Sequence, residues 1–353
     1  MNVAVVGATG VVGETILRLL EERALPVAVL GAFASRERAN AVSFRGERYG
    51  VRAASDAALH GFDVVFFASG EDASERYAPA LLERGAIVID NSATFRMQRD
   101  VPLIVPDVNA ESLRAEHRLF PVANCSAIVL CTALRPIRDA AGLQSVRVAT
   151  YQAASGAGRA RLEEFIAGER ALTLGEPEPE PAVFARRIAR NVIPQVGTPG
   201  EDGWTSEERK IRDETRKMLG LPSLRVDAMA VRVPVRTAHS EAVFVETERP
   251  VTFDEIAAAY ERAPGIVFHR DGIVTPRDVE GTDPVHVARL RILRQPFDSS
   301  RSRGSAQDDT EYDAQDDTKE LSFWCVGDQL RRGAATNAVE ILELLLAKGY
   351  VRG

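Results

Sequence analysis

The sequence predicts an α/β fold with two domains. The first is built on a mainly parallel sheet, and the second is an α+β domain with a mixed or antiparallel sheet covered by helices. Three observations lead to this prediction. The 353 residues exceed the roughly 150 that one domain usually takes. Up to about residue 125, short continuous apolar runs alternate with amphipathic stretches, whereas the later apolar runs are longer and alternate with polar residues.

Five short apolar runs in the first part of the chain predict strands, because a run that is apolar on both faces is typical of a buried parallel strand. These runs lie at 3–6, 27–30, 63–68, 86–90 and 103–105. We expect the amphipathic stretches between them to form helices that cover both faces of the sheet.

After residue 125 the pattern changes. Residues 126–141 have apolar side chains at helical spacing, and longer strand patterns follow them. The strands are predicted at 146–152, 225–235, 241–246 and 285–293. Their alternation indicates an antiparallel arrangement with one face partly exposed to water.

The stretch 333–348 predicts a C-terminal amphipathic helix. Its apolar residues at helical spacing are Ala338, Ile341, Leu342, Leu345 and Leu346. We expect this helix to pack onto the first domain, which then comprises residues 1–125 plus 330–353. Residues 126–329 form the second domain in this prediction.

Two segments lack the pattern of a packed element. Residues 176–181 read Glu-Pro three times, which favours an extended backbone because each proline restricts the residue before it. Residues 296–320 are polar and acidic and repeat Ala-Gln-Asp-Asp-Thr, which predicts a flexible, solvated insertion. The insertion lacks the glycine turn and the terminal glutamate of a calcium-binding EF-hand loop.

Composition excludes several classes of protein. The net charge of −7 argues against a nucleic-acid surface, and no apolar run approaches the roughly 18 residues that cross a bilayer. A strand pattern starts directly after Asn2 without a basic leader, so we expect a cytoplasmic protein that is not secreted. Three cysteines, with no Cys-x-x-Cys pair and no histidine cluster, fit a reducing compartment and predict no metal site.

A glycine-rich loop follows the first strand pattern and opens an amphipathic helix. Residues 7–13 read Gly-Ala-Thr-Gly-Val-Val-Gly. Glycines permit a tight turn, and the start of a helix offers free N–H groups to a pyrophosphate. We therefore predict a Rossmann-like dinucleotide-binding domain, although glycine spacing alone also fits a structural turn. The predicted cofactor-binding residues at the ends of strands are Gly7, Thr9, Gly10, Val11, Val12, Gly13, Ser69 and Gly70.

The turn after the second strand pattern lies where the adenosine ribose of a dinucleotide is normally bound. A hydroxyl at Ser35 and guanidiniums at Arg36 and Arg38 favour the 2′-phosphate of NADP. Glu37 between them repels that phosphate and instead suits the ribose hydroxyls of NAD. A solvated charged turn without a ligand is the third interpretation, and the choice stays open at this point.

Cys125 lies at the predicted start of the helix at 126–141, where the helix dipole is expected to lower the pKa of its thiol. A buried core cysteine is an equal alternative from local sequence alone. Cys131, within the same apolar helix, and Cys325, in an aromatic strand pattern, are predicted to be core residues.

A nucleophilic thiol needs a partner for proton transfer, and His239 is the histidine in a polar junction between two strand patterns. Arg96 follows a strand on the side of the sheet where ligands bind, and Arg232 interrupts an apolar strand, where a guanidinium needs an anion. These arginines suggest an anionic substrate, and a structural ion pair is the alternative for Arg232.

Together these residues resemble the aspartate-β-semialdehyde dehydrogenase family over nearly the whole chain. The matching stretches are GATGVVG at 7–13, NSATFRM at 91–97, VPLIVPDVN at 101–109, NCS at 124–126, TYQAASGAG at 150–158, EERK at 207–210, VRVPVRTAHSE at 231–241 and GDQLRRGAATN at 327–337. Several independent motifs in the family's order make the match specific.

The resemblance implies reductive dephosphorylation of β-aspartyl phosphate with NADPH, in the pathway to lysine, methionine, threonine, isoleucine and diaminopimelate. It implies Cys125 as the nucleophile and His239 as the acid and base, in a homodimer or homotetramer. The remaining implied roles are orientation of substrate and thiol by Gln152 and Asn124, carboxylate binding by Arg232, ammonium binding by Glu207, phosphate binding by Arg96 and Lys210, further substrate contacts from Ser155 and Gly156, and proximity of Asn337 to the nicotinamide.

The sequence departs from the family pattern at a few positions. Ala123 and Ala127 replace a proline and a threonine beside the nucleophile. Glu37 takes the place of an arginine, so NAD stays open as the alternative to NADP. The alternatives are another acyl-phosphate reductase, such as N-acetyl-γ-glutamyl-phosphate reductase, and a non-catalytic dinucleotide-binding relative. Glu207 argues against the first and the presence of both Cys125 and His239 against the second.

Overall fold

The computed structural model describes residues 1–35, 41–293 and 318–351. In the described part of the chain, the strands are β1 Asn2–Val6, β2 Val29–Ala34, β3 Ala41–Phe44, β4 Glu47–Gly50, β5 Arg52–Ala53, β6 Val64–Phe67, β7 Ile87–Asp90, β8 Leu119–Pro121, β9 Ser145–Gln152, β10 Arg225–Arg232, β11 His239–Glu246, β12 Ile266–His269, β13 Val285–Ile292 and β14 Glu320–Gly327. The α-helices are α1 Val11–Glu22, α2 Glu71–Glu83, α3 Pro106–Asn109, α4 Cys125–Ala141, α5 Arg159–Leu174, α6 Ser206–Leu219, α7 Phe253–Arg262, α8 Pro276–Val279 and α9 Thr336–Ala347.

The first sheet has the strand order β5-β2-β1-β6-β7-β8, and all of its neighbouring strands are parallel. The central strands β1, β6 and β7 are almost entirely buried, because helices cover both faces. The predicted parallel α/β domain is confirmed.

The predicted strand at 103–105 is wrong. Pro106 occupies the first turn of α3, and the side chain of Asn109 takes the hydrogen bonds that a neighbouring strand would otherwise make. Its Oδ1 accepts from Val105 N at 2.9 Å and its Nδ2 donates to Leu103 O at 2.9 Å. The edge position of the sheet belongs instead to β8, a strand of three residues that ends in proline.

The second sheet has the order β10-β9-β11-β14-β13-β12. Strands β9 and β10 are parallel, as are β12 and β13, and the other pairs are antiparallel, so the sheet is mixed. Valines of β9 and β11 pack in one core cluster with α4. The opposite face exposes apolar side chains such as Met229 and Phe244, in agreement with the prediction of one partly wet face.

The C-terminal helix α9 packs against α1. A five-residue π-helix, Arg331–Ala335, leads into α9, and Ala338, Ile341, Leu342 and Leu345 are fully buried. Arg23 at the end of α1 forms ion pairs with Glu340 and Glu343 of α9. These contacts join α9 to α1.

The two segments predicted to be irregular can be compared with the structure to different extents. Residues 176–181 contain neither helix nor strand. Most of the predicted insertion at 296–320 lies outside the described residues, and its last residue, Glu320, begins β14. Within the described ranges, no helix combines the length and the apolar character needed to cross a membrane.

Candidate active site

A cavity of about 1030 Å³ opens where the loops after β1, β6 and β7 meet the start of α4. The carboxyl ends of parallel strands are the usual place for ligands in an open α/β sheet. The sequence-predicted residues that line it are Gly10, Val11, Val12, Ser69, Gly70, Arg96, Asn124, Cys125, Gln152, Ser155, Gly156, Glu207, Lys210 and Arg232. Segments far apart in the sequence therefore meet in one site.

The glycine loop packs tightly against the loop after β6. Gly7 has a φ of +91°, and a Cβ there would lie 2.5 Å from Ala68 O. A Cβ at Gly13 would overlap Gly7 O, so both glycines permit close packing of backbone on backbone. Gly10 is the N-cap of α1 and offers no side chain to cap the helix.

Two helix N-termini therefore face the cavity. Val11 and Val12 start α1 and line the cavity, and Gly70 is the uncapped N-cap of α2. The hydroxyl of Ser69 is buried and has no partner among the described residues. Free N–H groups, a positive dipole end and an unpaired hydroxyl fit the phosphates of a dinucleotide.

The remaining predicted cofactor residues lie elsewhere. Thr9 does not line the cavity, and its carbonyl accepts from Arg159 Nη2 at 3.5 Å. Ser35 is exposed directly after β2, and Arg36 and Arg38 lie outside the described residues. Asn337 is fully buried in α9 and donates from Nδ2 to Ile104 O at 3.1 Å, so it does not reach the cavity in this structure.

Cys125 is the first residue of α4, and the side chain of Asn124 caps the helix. Asn124 Oδ1 accepts from Ser126 N at 3.0 Å and from Ala127 N at 3.1 Å. This cap does not use the N–H of Cys125 itself. Cys131 and Cys325 are fully buried, as predicted for core residues.

The expected lowering of the pKa of the Cys125 thiol is wrong for this structure. Burial raises that pKa to about 12, and the negative charge of Glu207 adds to the rise. The charges of Arg232 and Arg96 and a hydrogen bond from the Ser126 backbone oppose it. Desolvation of the thiolate is the largest of these effects.

Four polar side chains form a network beside the thiol. Glu207 Oε1 accepts from Asn124 Nδ2 at 2.9 Å and from Gln152 Nε2 at 3.2 Å. Gln152 Nε2 also donates to Ser126 Oγ at 2.9 Å. The amides thus hold one oxygen of a carboxylate that lines the cavity.

Three cations line the same cavity as this carboxylate. The buried Arg232 donates from Nη1 to Ala153 O at 2.6 Å, and burial lowers the pKa of its guanidinium. Arg96, also buried, pairs with Glu214 at 3.2 Å. Lys210 is half-buried and has no ion-pair partner in the described part of the chain. The cavity therefore has the positive charge that an anionic ligand needs.

His239 lies behind the wall of the cavity. It is 1% exposed, and a Cβ added at Gly156 would lie 2.6 Å from its Cε1 and 2.7 Å from its Nε2. Its Nδ1 accepts from Ala153 N at 3.1 Å. Burial, together with the charge of Arg232, holds the pKa of the imidazole well below its usual 6.5, so the ring is neutral at pH 7.

Some residues of the site were not found from the sequence. Glu214 joins Arg96 to the backbone of Asn124, Gln329 Nε2 donates to Ser155 Oγ at 2.6 Å, and Gly333 packs against the Cβ of Cys125. Gln329 and Gly333 lie in the matching stretch at 327–337, which pointed to them without giving them a role, and Glu214 follows Glu207 after two helical turns. Within the described ranges, no group of three or more His, Cys, Asp or Glu side chains is placed to hold a metal ion.

The fold and the site define a class, a two-domain protein that binds a pyridine nucleotide beside a cysteine in a positively charged cleft. Residues 2–116 match the family model "Semialdehyde dehydrogenase, NAD binding domain", and residues 134–297 match "Semialdehyde dehydrogenase, dimerisation domain". The chain belongs to the aspartate-semialdehyde dehydrogenase family.

Similar proteins cover almost the entire chain. The aspartate-semialdehyde dehydrogenase of Shewanella sp. (strain DB6705) is 39% identical over 99% of this chain and 98% of its own. That of Aquifex aeolicus is 38% identical over 99% of both chains. The crystal structure of aspartate semialdehyde dehydrogenase II from Vibrio cholerae, 37% identical, aligns over 99% of both chains with a TM-score of 0.86.

Proposed function

We propose that this protein is an NADP-dependent aspartate-semialdehyde dehydrogenase. It reduces β-aspartyl phosphate to aspartate semialdehyde and releases phosphate. The observation that carries the proposal is the meeting of Cys125, two guanidiniums, Lys210 and Glu207 in one cavity. A solved Vibrio cholerae relative, 37% identical over 98% of this chain and of its own with a TM-score of 0.86, is described as complexed with ASA, which supports the substrate class.

The charges of the cavity match those of the proposed substrate. We assign the substrate carboxylate to Arg232, its phosphate to Arg96 and Lys210, and its ammonium to Glu207. One oxygen of Glu207 is held by the amides of Asn124 and Gln152, so the carboxylate has a defined direction. Ser155 and Gly156, which line the cavity beside His239, complete the proposed substrate contacts.

The chemistry begins at the Cys125 sulfur. After the thiol loses its proton, the sulfur attacks the acyl carbon of the acyl phosphate, phosphate leaves with the electrons of the C–O bond, and a thioester remains. Arg96 and Arg232 favour the thiolate against the effects of burial and of Glu207. The free N–H of Cys125 at the start of α4 suits the tetrahedral oxyanion, and such a donor is typically worth about 3 kcal/mol in the barrier.

His239 is the proposed acid and base. Because Nδ1 accepts from Ala153 N, the neutral ring carries its proton on Nε2, which faces Gly156 on the cavity wall. To act as a base, the ring must give up this contact with Ala153 N and move its proton to Nδ1, so that Nε2 takes the proton of the Cys125 thiol. The imidazolium then returns that proton to the sulfur as the C–S bond breaks and the aldehyde forms. The low pKa of the imidazole makes the protonated ring a strong acid that readily returns its proton.

The cofactor contacts follow from the two helix starts. Val11 and Val12 at α1, with Ser69 and Gly70 before α2, would hold the dinucleotide. A bound nicotinamide supplies the hydride that converts the thioester to the aldehyde. We propose NADP from Ser35, Arg36 and Arg38, with NAD as the alternative because of Glu37.

The family assignment extends the proposal beyond the site. We propose a cytoplasmic enzyme in the biosynthesis of lysine, methionine, threonine, isoleucine and diaminopimelate. We also propose a homodimer or homotetramer, supported by the match to a dimerisation domain and by the apolar side chains on the outer face of the second sheet, such as Met229 and Phe244. The two-domain division at residues 125 and 330 belongs to the same proposal.

Aspartate semialdehyde, phosphate and NADP test the function directly. The protein is expected to form NADPH only when all three are present, and Cys125→Ala is expected to lose turnover by at least about a thousandfold. Full activity of Cys125→Ala contradicts the proposed thioester intermediate on Cys125. Replacing NADP with NAD tests the cofactor, and N-acetylglutamate semialdehyde tests the rival acyl-phosphate reductase, which has no ammonium for Glu207.

A further inference from the structure

One face of α6 carries alternating charges that either line the cavity or contact residues of the candidate active site. Glu207, Lys210, Glu214 and Lys217 are separated by three, four and three residues, so they form a stripe along the helix. Glu207 and Lys210 line the cavity. Glu214 and Lys217 do not line the cavity but contact Arg96, and Glu214 also contacts Asn124.

Glu214 has both of its carboxylate oxygens engaged, although its side chain is only 1% exposed. Oε1 accepts from Arg96 Nη1 at 3.2 Å, and Oε2 accepts from the backbone N of Asn124 at 2.5 Å. Burial raises the pKa of Glu214, and the Arg96 guanidinium and the Asn124 N–H oppose that rise. A buried carboxylate is costly without such partners, so its place here calls for a specific role.

Two other residues of α6 also form hydrogen bonds with Arg96 and Asn124. Lys217 Nζ donates to Arg96 O at 2.6 Å, so α6 contacts both the guanidinium and the backbone of Arg96. Glu207 accepts from the Asn124 side chain while Glu214 accepts from its main chain. The residue before the nucleophile is therefore fixed from two sides by one rigid element.

We propose that Glu214 is a positioning residue for the reaction, whose carboxylate directs Arg96 toward the phosphate and fixes the peptide that precedes Cys125. This inference rests on the proposed function, because it assigns the phosphate to Arg96. Glu214 does not line the cavity, so it acts through its two partners and not on the substrate. It also balances the charge of Arg96, which is one of the two guanidiniums that favour the Cys125 thiolate.

Glu214→Gln removes the charge and keeps the size of the side chain. An amide has one acceptor oxygen, so its NH₂ group must face either Arg96 or the Asn124 N–H, both of which are donors. Glu208→Gln is the matched control. Glu208 is a buried carboxylate on the same helix that accepts from Thr205 N and Ala230 N and does not line the cavity.

Alkylation of Cys125 by iodoacetamide tests the proposal without turnover, since Cys131 and Cys325 are fully buried. Inorganic phosphate is expected to protect the wild-type thiol. In Glu214→Gln the half-protecting phosphate concentration is expected to rise about tenfold or more, because a charge-assisted contact that orients Arg96 is lost. The midpoint of the pH profile of alkylation is expected to move to lower pH, since Arg96 loses its counter-ion. Glu208→Gln is expected to leave both quantities unchanged.

Glu214→Asp separates the two roles. Its shorter side chain keeps the charge but cannot span both partners, so the pH midpoint is expected to recover while phosphate protection stays weak. Glu214→Asp also tests the positioning role if Glu214→Gln does not fold. Wild-type phosphate protection and a wild-type pH profile in both variants overturn the positioning role. Failure of phosphate to protect the wild-type enzyme instead overturns the proposed function. In that case the pH profile of alkylation alone tests whether Glu214 affects the Cys125 thiol through Arg96.

Discussion

Gly156→Ala is expected to impair catalysis by displacing His239. A Cβ at residue 156 would lie 2.6 Å from His239 Cε1, 2.7 Å from Nε2 and 3.3 Å from Gln329 Cγ. Real carbon contacts lie at about 3.5 Å or more, so the imidazole or the loop must move by about 1 Å. The ring cannot swing away freely, because it is 1% exposed and its Nδ1 accepts from Ala153 N.

The size of the effect follows from that displacement. A misplacement of about 1 Å at a reacting group costs about a hundredfold in rate, which corresponds to about 3 kcal/mol in the barrier. Overpacking of this kind also lowers the free energy of unfolding, by about 1 to 3 kcal/mol. The backbone adds no strain of its own, since Gly156 is not among the glycines with positive φ.

The assay is phosphate-dependent NADPH formation from aspartate semialdehyde, with kcat and KM measured separately and the unfolding midpoint recorded. Gly50→Ala is the control, because a Cβ there meets nothing within 4 Å and Gly50 does not line the cavity. Gly50→Ala is expected to keep wild-type kcat. A Gly156→Ala enzyme with wild-type kcat and wild-type stability would refute the assignment of His239 and the packing that surrounds it.

Two further substitutions test the roles of the carboxyl groups of Glu207 and Glu241. Glu207→Gln is expected to raise KM for aspartate semialdehyde about tenfold or more while changing KM for phosphate little, because Glu207 is assigned to the ammonium; equal changes in the two constants contradict that assignment. Glu241 is fully buried on β11, and burial raises the pKa of its carboxyl to about 8, against the effect of a hydrogen bond from Cys325. The folded state therefore binds this proton more tightly than the unfolded state, so the free energy of unfolding is expected to fall by a few kcal/mol as pH rises from about 4.5 to 8. Glu241→Gln is expected to flatten that decline in denaturant titrations, and an unchanged slope contradicts it.

The sequence predicts elements well where one local signal is strong. The glycine loop before α1, the apolar strands β1, β6 and β7 and the start of α4 at Cys125 all occur within one residue or two of their predicted places. The run at 103–105 has the same apolar character but fails as a strand, because Asn109 binds its backbone and Pro106 starts a helix. Apolar composition alone does not reveal that competition.

In the candidate site too, residues with a strong local signal were predicted and residues that depend on distant contacts were not. Arg96 and Arg232 were predicted because a charge after a strand or within an apolar strand needs a partner. Glu214 was not, since within α6 it is one charge among many, and its partner Arg96 lies 118 residues away in the sequence. The contact of Gly156 with His239 is equally invisible before the chain folds.

By itself the sequence determined the two-domain class, the helix start that offers N–H groups to a phosphate, and the position of Cys125 at the first turn of α4. These follow from periodicity, glycine geometry and helix ends, which act over a few residues. Only the tertiary structure decided the ionisation of that thiol. Its pKa is raised because desolvation and the charge of Glu207 outweigh Arg232 and Arg96. Burial and Coulomb energy depend on distances between groups that only the folded chain brings together.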